Sequence, residues 1–125
     1  MKSIDTSVAV DYLRDRPDAV AVVEGAIVDG ESLAASEIVR FELLAGVRPD
    51  EEQALERFCS RLGWVPADEA ISRLAASLAV RHRSANLGIE DADYLIAATA
   101  LELGSALLTT NVRHFPMLPG LRPAY

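Results

Sequence analysis

Cysteine is almost absent from this sequence, since Cys59 is the only one in 125 residues. A single thiol excludes an internal disulfide and favours a reducing compartment. No apolar run reaches the roughly 18–20 residues that span a bilayer. Asp5 stands where the apolar part of a secretory signal would have to begin. We therefore expect a soluble, cytoplasmic protein without a membrane segment.

Basic residues are also scarce relative to acidic ones. Lys and Arg number 12 against 19 Asp and Glu, which gives a formal net charge of −7. Phosphate backbones favour basic surfaces, so this balance argues against broad electrostatic contact with nucleic acid. Contact with a polyanion would have to be local, or would depend on a metal ion or a second subunit.

What the chain does contain is a regular alternation of short apolar segments and helical patterns. Half of its residues are hydrophobic, and its length suits one domain covering residues 1–125. Strands are predicted at 3–6, 33–35, 63–66 and 106–109, with a last edge strand at 121–122. Helices are predicted at 7–14, 17–30, 36–45, 49–62, 69–87 and 91–103. This order predicts an α/β fold with a parallel sheet covered by helices on both faces.

Residues with distinctive conformational or packing preferences support these boundaries. Ser7, Ser36 and Asp68 are predicted helix caps, and Gly46 and Gly104 are predicted to end helices. Four aromatic residues are predicted to lie in the core rather than to stack on bases; they are Tyr12, Phe41, Phe58 and Trp64.

Several acids occupy positions where an isolated carboxylate would be costly. Asp91 and Asp93 begin a helix that is apolar on nearly all sides, and Glu42 lies inside the apolar helix at 38–44. Asp5 ends the first strand, and Asn111 follows a later one. Ligands of parallel sheets bind at the carboxyl ends of the strands, and a buried carboxylate needs a partner or a metal. We expect these side chains to converge.

A converged set of this kind is made of hard oxygen ligands. Such ligands suit Mg²⁺ or Mn²⁺, whereas zinc would normally bring His or Cys in a spaced cluster. Asp5, Glu42 and Asp93 are the predicted catalytic and metal-binding residues, with Asn111 and Asp91 as further candidate ligands. A divalent ion among them could activate water and stabilise a phosphoryl group under attack.

Each of these residues also has a purely structural interpretation. Asp5 could cap the first helix, and the two acids at the start of the later helix could cap it or favour its positive end. Glu42 could pair with Arg40 or Arg48, and Asn111 could be a turn residue. The joint placement of the set, not any single member, favours a site.

Basic side chains offer a weaker indication. Arg81, His82 and Arg83 form the densest basic stretch. Together with Arg113, the arginines Arg81 and Arg83 are candidate RNA contacts. The alternative is a solvated helix end, where cations are favourable in any case.

At these residues the chain resembles the PIN-domain ribonucleases, and among them the VapC-type toxins of toxin–antitoxin pairs. The resemblance lies in I-D-T-S at 4–7, S-E-I-V-R-F-E-L-L-A-G at 36–46, D-Y-L-I-A-A-T-A at 93–100 and L-L-T-T-N-V-R-H-F at 107–115. It implies a three-layer α/β/α sandwich with a small parallel sheet. It also implies Mg²⁺- or Mn²⁺-dependent cleavage of RNA, a homodimer, and a VapB-type antitoxin as partner.

The resemblance also assigns roles to individual residues. Asp5, Glu42 and Asp93 match the first three acids of the family motif. The fourth family acid often occupies the position of Asn111, which supplies an oxygen but no charge, so we expect one firmly bound ion and at most a weaker second one. Asp91 is an extra acid that the motif does not require.

Two functions follow from different readings of the same residues. The first is a toxin endoribonuclease that hydrolyses RNA phosphodiester bonds through metal-activated water, with transfer, ribosomal or messenger RNA as substrate. The alternative is a catalytically weak or inactive PIN-fold interaction protein that binds an antitoxin or a nucleic acid. A metal-dependent phosphatase is less favoured, because D-T-S at 5–7 lacks the D-x-D of an aspartyl nucleophile.

Overall fold

The centre of the fold is a small parallel sheet. A computed structural model describes residues 1–83 and 88–125 of the chain. Its strands are β1 (Lys2–Ile4), β2 (Leu33–Ser36), β3 (Gly63–Val65) and β4 (Ala106–Leu108). They lie in the order β3-β2-β1-β4, and each neighbouring pair is parallel. Because all four run the same way, their carboxyl ends meet at one edge of the sheet.

Helices cover this sheet and complete a three-layer α/β/α sandwich, as predicted. They are α1 (Thr6–Leu13), α2 (Pro17–Val28), α3 (Glu37–Gly46), α4 (Glu52–Cys59), α5 (Glu69–His82) and α6 (Asp91–Leu103), with 3₁₀ turns at Pro49–Glu51 and Val112–His114. α6 contacts β2 and β4 and packs along α5, while α1 contacts α2, α3 and α4. None of the helices in the described ranges is both long and apolar enough to cross a membrane.

Local sequence explains most helix boundaries. The side chains of Ser36 and Asp68 accept hydrogen bonds from Ile38 N and Ile71 N, so both are helix caps as predicted. Gly104 ends α6 in the left-handed conformation, with φ of 62°. The interior of α6 is buried from Ile96 to Ala100, which places this helix in the core.

Predicted boundaries at β1, α1 and α3 are wrong. The first strand ends at Ile4, and Asp5 rather than Ser7 caps α1 by accepting from Thr6 N at 2.8 Å. Gly46 is the last residue of α3, and the chain leaves the helix through an extended Val47 instead of a left-handed glycine. The last residues predicted for α5, 84–87, lie outside the described residues.

The predicted edge strand at 121–122 is also absent. Pro123 has no N–H to donate to a ladder, and Gly120 turns the chain with φ of 81° just before it. The tail is held instead by a hydrogen bond from Ala124 N to Thr109 O at 2.8 Å.

One aromatic prediction fails for a helical reason. Phe41 is 64% exposed, because the buried residues of α3 are Val39 and Leu43. Residues two apart on a helix do not face the same side. Phe58 is buried, and its ring lies 5.0 Å from that of the half-buried Tyr12.

Substituting alanine for two different glycines should change the free energy of unfolding in opposite directions. Gly104→Ala should destabilise the protein by about 1 kcal/mol, because a side chain disfavours the left-handed conformation. Gly25→Ala, inside α2 with no atom within 4 Å of a new Cβ, should stabilise it by about 0.5–1 kcal/mol. Urea unfolding measures both changes, and a stabilising Gly104→Ala would contradict the assignment of the α6 terminus.

Candidate active site

Asp5 lies at the carboxyl end of the internal strand β1 and is buried, with 4% of its surface exposed. Its Oδ1 accepts from Thr6 N at 2.8 Å. Its Oδ2 accepts from Ser7 Oγ at 2.8 Å and from Thr109 Oγ1 at 2.7 Å. These donors are all neutral, and no Lys or Arg within residues 1–83 and 88–125 forms an ion pair with it. Asp5 is therefore a buried anion held by hydroxyl and amide dipoles alone.

The loop after β4 supplies much of this support. Thr109 is fully buried, and its Oγ1 also accepts from Asn111 N at 2.9 Å. Thr110 N donates to Ser7 Oγ at 3.1 Å, and Asp5 N donates to Leu108 O at 2.9 Å. The loops that follow β1 and β4 are thus joined through their backbone and hydroxyl groups.

Glu42 reaches the same region from α3. Thr6 Oγ1, one residue after Asp5, donates to Glu42 Oε1 at 2.7 Å. Burial raises the pKa of Glu42, and the negative charges of Asp5, Asp93 and Glu90 raise it further, against the lowering effect of the Thr6 hydrogen bond. The carboxylates are therefore close enough to repel one another.

The ion pair with Arg40 or Arg48 that was the structural alternative for Glu42 does not form. Arg40 donates to both oxygens of Glu37, at 2.7 and 3.2 Å, and its guanidinium lies 4.2 Å from the centroid of the Trp64 ring system. In the part of the chain that the structure describes, no salt bridge joins Arg48 to Glu42. Glu42 is thus left without a basic partner there.

Asp93 completes the set from the first turn of α6. Its Oδ2 accepts from Glu90 N at 2.9 Å and lies 3.4 Å from His114 Nδ1. Burial raises the pKa of Asp93, and the charges of Asp5 and Glu90 raise it too; the Glu90 N–H and His114 lower it. The side chain is 14% exposed, so its carboxylate faces the interior of the site more than solvent.

These side chains line one open cleft of about 470 Å³ at the carboxyl edge of the sheet. Its lining is Asp5, Thr6, Ser7, Val10, Asp11, Arg16, Glu42, Glu90, Asp93, Thr110, Asn111 and His114. Five carboxylates thus share the acidic cleft with one guanidinium and one imidazole. The structure brings together Asp5, Glu42, Asp93 and Asn111 of the predicted set.

Asp91 is not brought into the acidic cleft. Its side chain is 90% exposed, and its Oδ1 accepts from Arg83 Nη2 at 3.2 Å. It is the first residue of α6 and lines a separate shallow cleft beside Tyr94. The helix cap is Glu90 rather than Asp91.

The predicted RNA contacts also lie outside the acidic cleft. Arg81 and Arg83 are exposed at the end of α5, and Arg113 is exposed in the turn after Asn111. Sequence reasoning missed Arg16, Asp11, Glu90 and His114. The order L-L-T-T-N after a buried strand was a usable signal for Thr109 and Thr110, whereas nothing in the sequence marked Arg16.

The donor chemistry of the acidic cleft fits a hard divalent cation. Carboxylates and the side-chain amide of Asn111 line it, and the pKa values of Glu42 and Asp93 are raised. A bound cation would reduce the repulsion among these carboxylates. In the described ranges no three His, Cys, Asp or Glu side chains form a preassembled metal-binding group. Asp5, Glu42 and Asp93 each accept hydrogen bonds from protein donors. A bound ion would therefore compete with these donors for the carboxylate oxygens.

Comparison with known proteins identifies the class. Residues 3–119 match the PIN domain family. The chain therefore belongs to the PIN-domain family. It is 56% identical to "Ribonuclease VapC19" of Mycobacterium tuberculosis (strain H37Rv) over 125 residues, which covers all of both chains. It is 36% identical to "Ribonuclease VapC10" of the same strain, covering 98% of this chain and 91% of that one. Within the family it is thus of the VapC type.

Solved structures agree on the fold. A toxin–antitoxin complex from Klebsiella pneumoniae superposes with a TM-score of 0.84 at 22% identity, covering 100% of this chain and 98% of that one. VapBC2 from Rickettsia felis, bound to a DNA fragment from their promoter, gives a TM-score of 0.81 at 24% identity, with coverage of 96% and 94%. At these identities the likeness establishes the fold alone.

The raised pKa values predict that the cleft carboxylates destabilise the metal-free protein. A carboxyl group whose pKa is higher in the folded state than in the unfolded state destabilises the fold when it ionises. The loss of stability begins as pH rises above the pKa of the unfolded state, 4.5 for Glu, and is complete above the pKa of the folded state. Glu42→Gln should therefore raise the melting temperature by about 2 °C at about pH 7.5 in EDTA. The gain should vanish near about pH 4, where the carboxyl group is protonated in both states.

Glu24 provides a control of opposite sign. Hydrogen bonds from Arg61 and Tyr12 lower the pKa of Glu24 to about 2, so its contribution is present above pH 4.5 and is lost as pH falls through about 2. Glu24→Gln should lower the melting temperature at about pH 7.5. If Glu42→Gln and Glu24→Gln shifted it in the same direction, the electrostatic description of the cleft would be wrong.

Proposed function

We propose that this chain is a Mg²⁺- or Mn²⁺-dependent endoribonuclease that acts as the toxin of a toxin–antitoxin pair. The observation that carries the proposal is the meeting of Asp5, Glu42 and Asp93, from three distant parts of the chain, in one cleft poor in positive charge. Full-length identity of 56% to a protein named as a VapC ribonuclease supports it.

In this proposal Asp5, Glu42 and Asp93 hold the ion, with the side-chain oxygen of Asn111 nearby. When bound, such an ion lowers the pKa of a water molecule and neutralises charge on the phosphate. The hydroxyl of Thr6 fixes the Glu42 carboxylate, and the hydroxyls of Ser7 and Thr109 fix that of Asp5.

A VapB-type antitoxin is the proposed partner. The acidic cleft offers carboxylates to which an arginine of a basic antitoxin segment could bind in a bidentate manner. Such a segment would neutralise the charge that otherwise calls for a metal, and would block access of RNA. We propose in addition that the chain forms a homodimer, as implied by the family resemblance.

The central test is cleavage of a cellular RNA pool by the purified chain. We expect cleavage with Mg²⁺ or Mn²⁺ and none in EDTA. Asp5→Asn should lower the rate at least about 100-fold, because losing one ligand charge weakens metal binding at least as much as disturbing a ligand's support does. The measurement is the initial rate of cleavage at a fixed, subsaturating concentration of the metal.

Asp91→Asn is the matched control. It removes the same charge from the helix that carries Asp93, but from an exposed residue paired with Arg83. We expect it to cleave as the unaltered chain does. Undiminished cleavage by Asp5→Asn would reject the mechanism. The absence of a metal-dependent melting shift, together with no cleavage of any RNA, would instead favour a non-catalytic interaction protein.

A further inference from the structure

Arg16 lies among the acids of the cleft. We infer that it is a contact for the RNA backbone, binding a phosphate of the substrate strand through its guanidinium. The inference rests on the proposed ribonuclease function and names a residue on a different element from Arg81, Arg83 and Arg113.

The turn between α1 and α2 fixes the position of Arg16. Asp15 adopts the left-handed conformation with φ of 57°, which is unfavourable for a non-glycine residue. Pro17 follows directly, and a proline holds the residue before it in extended backbone, as observed for Arg16. Arg16 N donates to Asp11 O at 3.0 Å. The backbone of Arg16 is thus determined from both sides.

Its side chain is anchored loosely and remains available. Arg16 Nη1 lies 3.7 Å from Asp11 Oδ2, and the arginine side chain is 59% exposed while that of Asp11 is 20% exposed. A pair at this distance with an exposed arginine adds little stability. Within residues 1–83 and 88–125 no other partner of the Arg16 guanidinium is found, so its fork can bind a phosphate in a bidentate manner.

Asp11 is itself held in place by the end of the chain. The Tyr125 hydroxyl donates to Asp11 Oδ2 at 2.5 Å. Ala124 N donates to the carbonyl of Thr109, the residue whose hydroxyl supports Asp5. The C-terminal tail therefore contacts both Asp11, which pairs with Arg16, and Thr109, which donates a hydrogen bond to Asp5.

The negative charge of the cleft explains why a basic side chain is needed on its lining if RNA is to bind there. Among the described residues that line it, Arg16 is the one Lys or Arg against five carboxylates. An RNA strand approaching such a cleft is repelled, and a single metal ion offsets only part of that charge. The guanidinium of Arg16 attracts RNA phosphates locally, whereas the net charge of −7 repels them overall.

The test is binding of a fluorescein-labelled, random-sequence 20-nucleotide RNA, followed by fluorescence anisotropy in an Asp5→Asn background. Adding Arg16→Gln should raise Kd about three- to tenfold. It should also reduce the slope of log Kd against log salt by about 0.7, the value for one lost phosphate contact on a single strand. In the otherwise unaltered chain, Arg16→Gln should raise KM and leave kcat within about twofold.

Two further variants separate the role of the guanidinium from a general charge effect. Arg14→Gln removes the same charge two residues away, from an exposed side chain that does not line the acidic cleft, and should change Kd and the salt slope less. Arg16→Lys keeps the point charge but loses the fork. It should keep the salt slope and give an intermediate Kd.

The outcomes distinguish this inference from the proposed function. The inference is overturned, while RNA cleavage stands, if adding Arg16→Gln leaves Kd and the salt slope of the Asp5→Asn parent unchanged. It is also overturned if Arg14→Gln changes both quantities as much as Arg16→Gln does. A chain that cleaves no RNA with either metal overturns the proposed function, and the anisotropy assay still decides whether Arg16 contacts RNA. Melting curves of Arg16→Gln and Arg14→Gln should match that of the parent protein, because the side chains of Arg16 and Arg14 are exposed.

Discussion

Burial of the Asp5 carboxylate without a positive partner is the constraint on which the site depends. In the described part of the chain its charge is balanced by dipoles alone: one backbone N–H and the hydroxyls of Ser7 and Thr109. Buried charges are costly unless such donors are complete. The N-terminus of α1, which Asp5 caps, adds the favourable field of a helix end. The loops after β1 and β4 must stay together for these donors to remain in place.

Two sets of acids in this protein have different electrostatic surroundings. Outside the cleft, arginines are paired with carboxylates: Arg61 with Glu24, Arg40 with Glu37, and Arg73 with Glu69. Inside it, burial and mutual repulsion raise the pKa values of Glu42 and Asp93. The same side-chain type is thus satisfied in one place and left short of positive charge in the other. Such a deficit is what a site for a hard cation requires.

Local rules were enough to predict much of the fold. The bounds of α6 and its end at Gly104 followed from apolar content and glycine, and the caps Ser36 and Asp68 followed from hydroxyl and carboxyl side chains. Asp5 was harder, since D-T-S offers several caps and the choice depends on Thr109, 104 residues away. Phe41 was misplaced because an apolar side chain on a helix does not by itself reveal which face is covered.

The composition of the site was only partly accessible from the sequence. Asp5 and Asn111 could be grouped with Asp93 because they follow strands and Asp93 begins a helix. Glu42 could be added because it is an acid inside an apolar helix. Arg16 could not, because its place in the cleft depends on how tightly the α1–α2 turn closes, with Asp15 left-handed and Tyr125 returning from the far end of the chain. Such contacts are long-range in sequence and leave no local pattern.

The central claim is that three carboxylates distant in sequence form one binding place for a divalent ion. Anomalous diffraction at the manganese absorption edge, from crystals grown with Mn²⁺, tests it most directly. The account predicts an anomalous peak among the side-chain oxygens of Asp5, Glu42 and Asp93. A Mn²⁺ peak elsewhere on the chain with none in the acidic cleft, or no peak at saturating Mn²⁺, would contradict it.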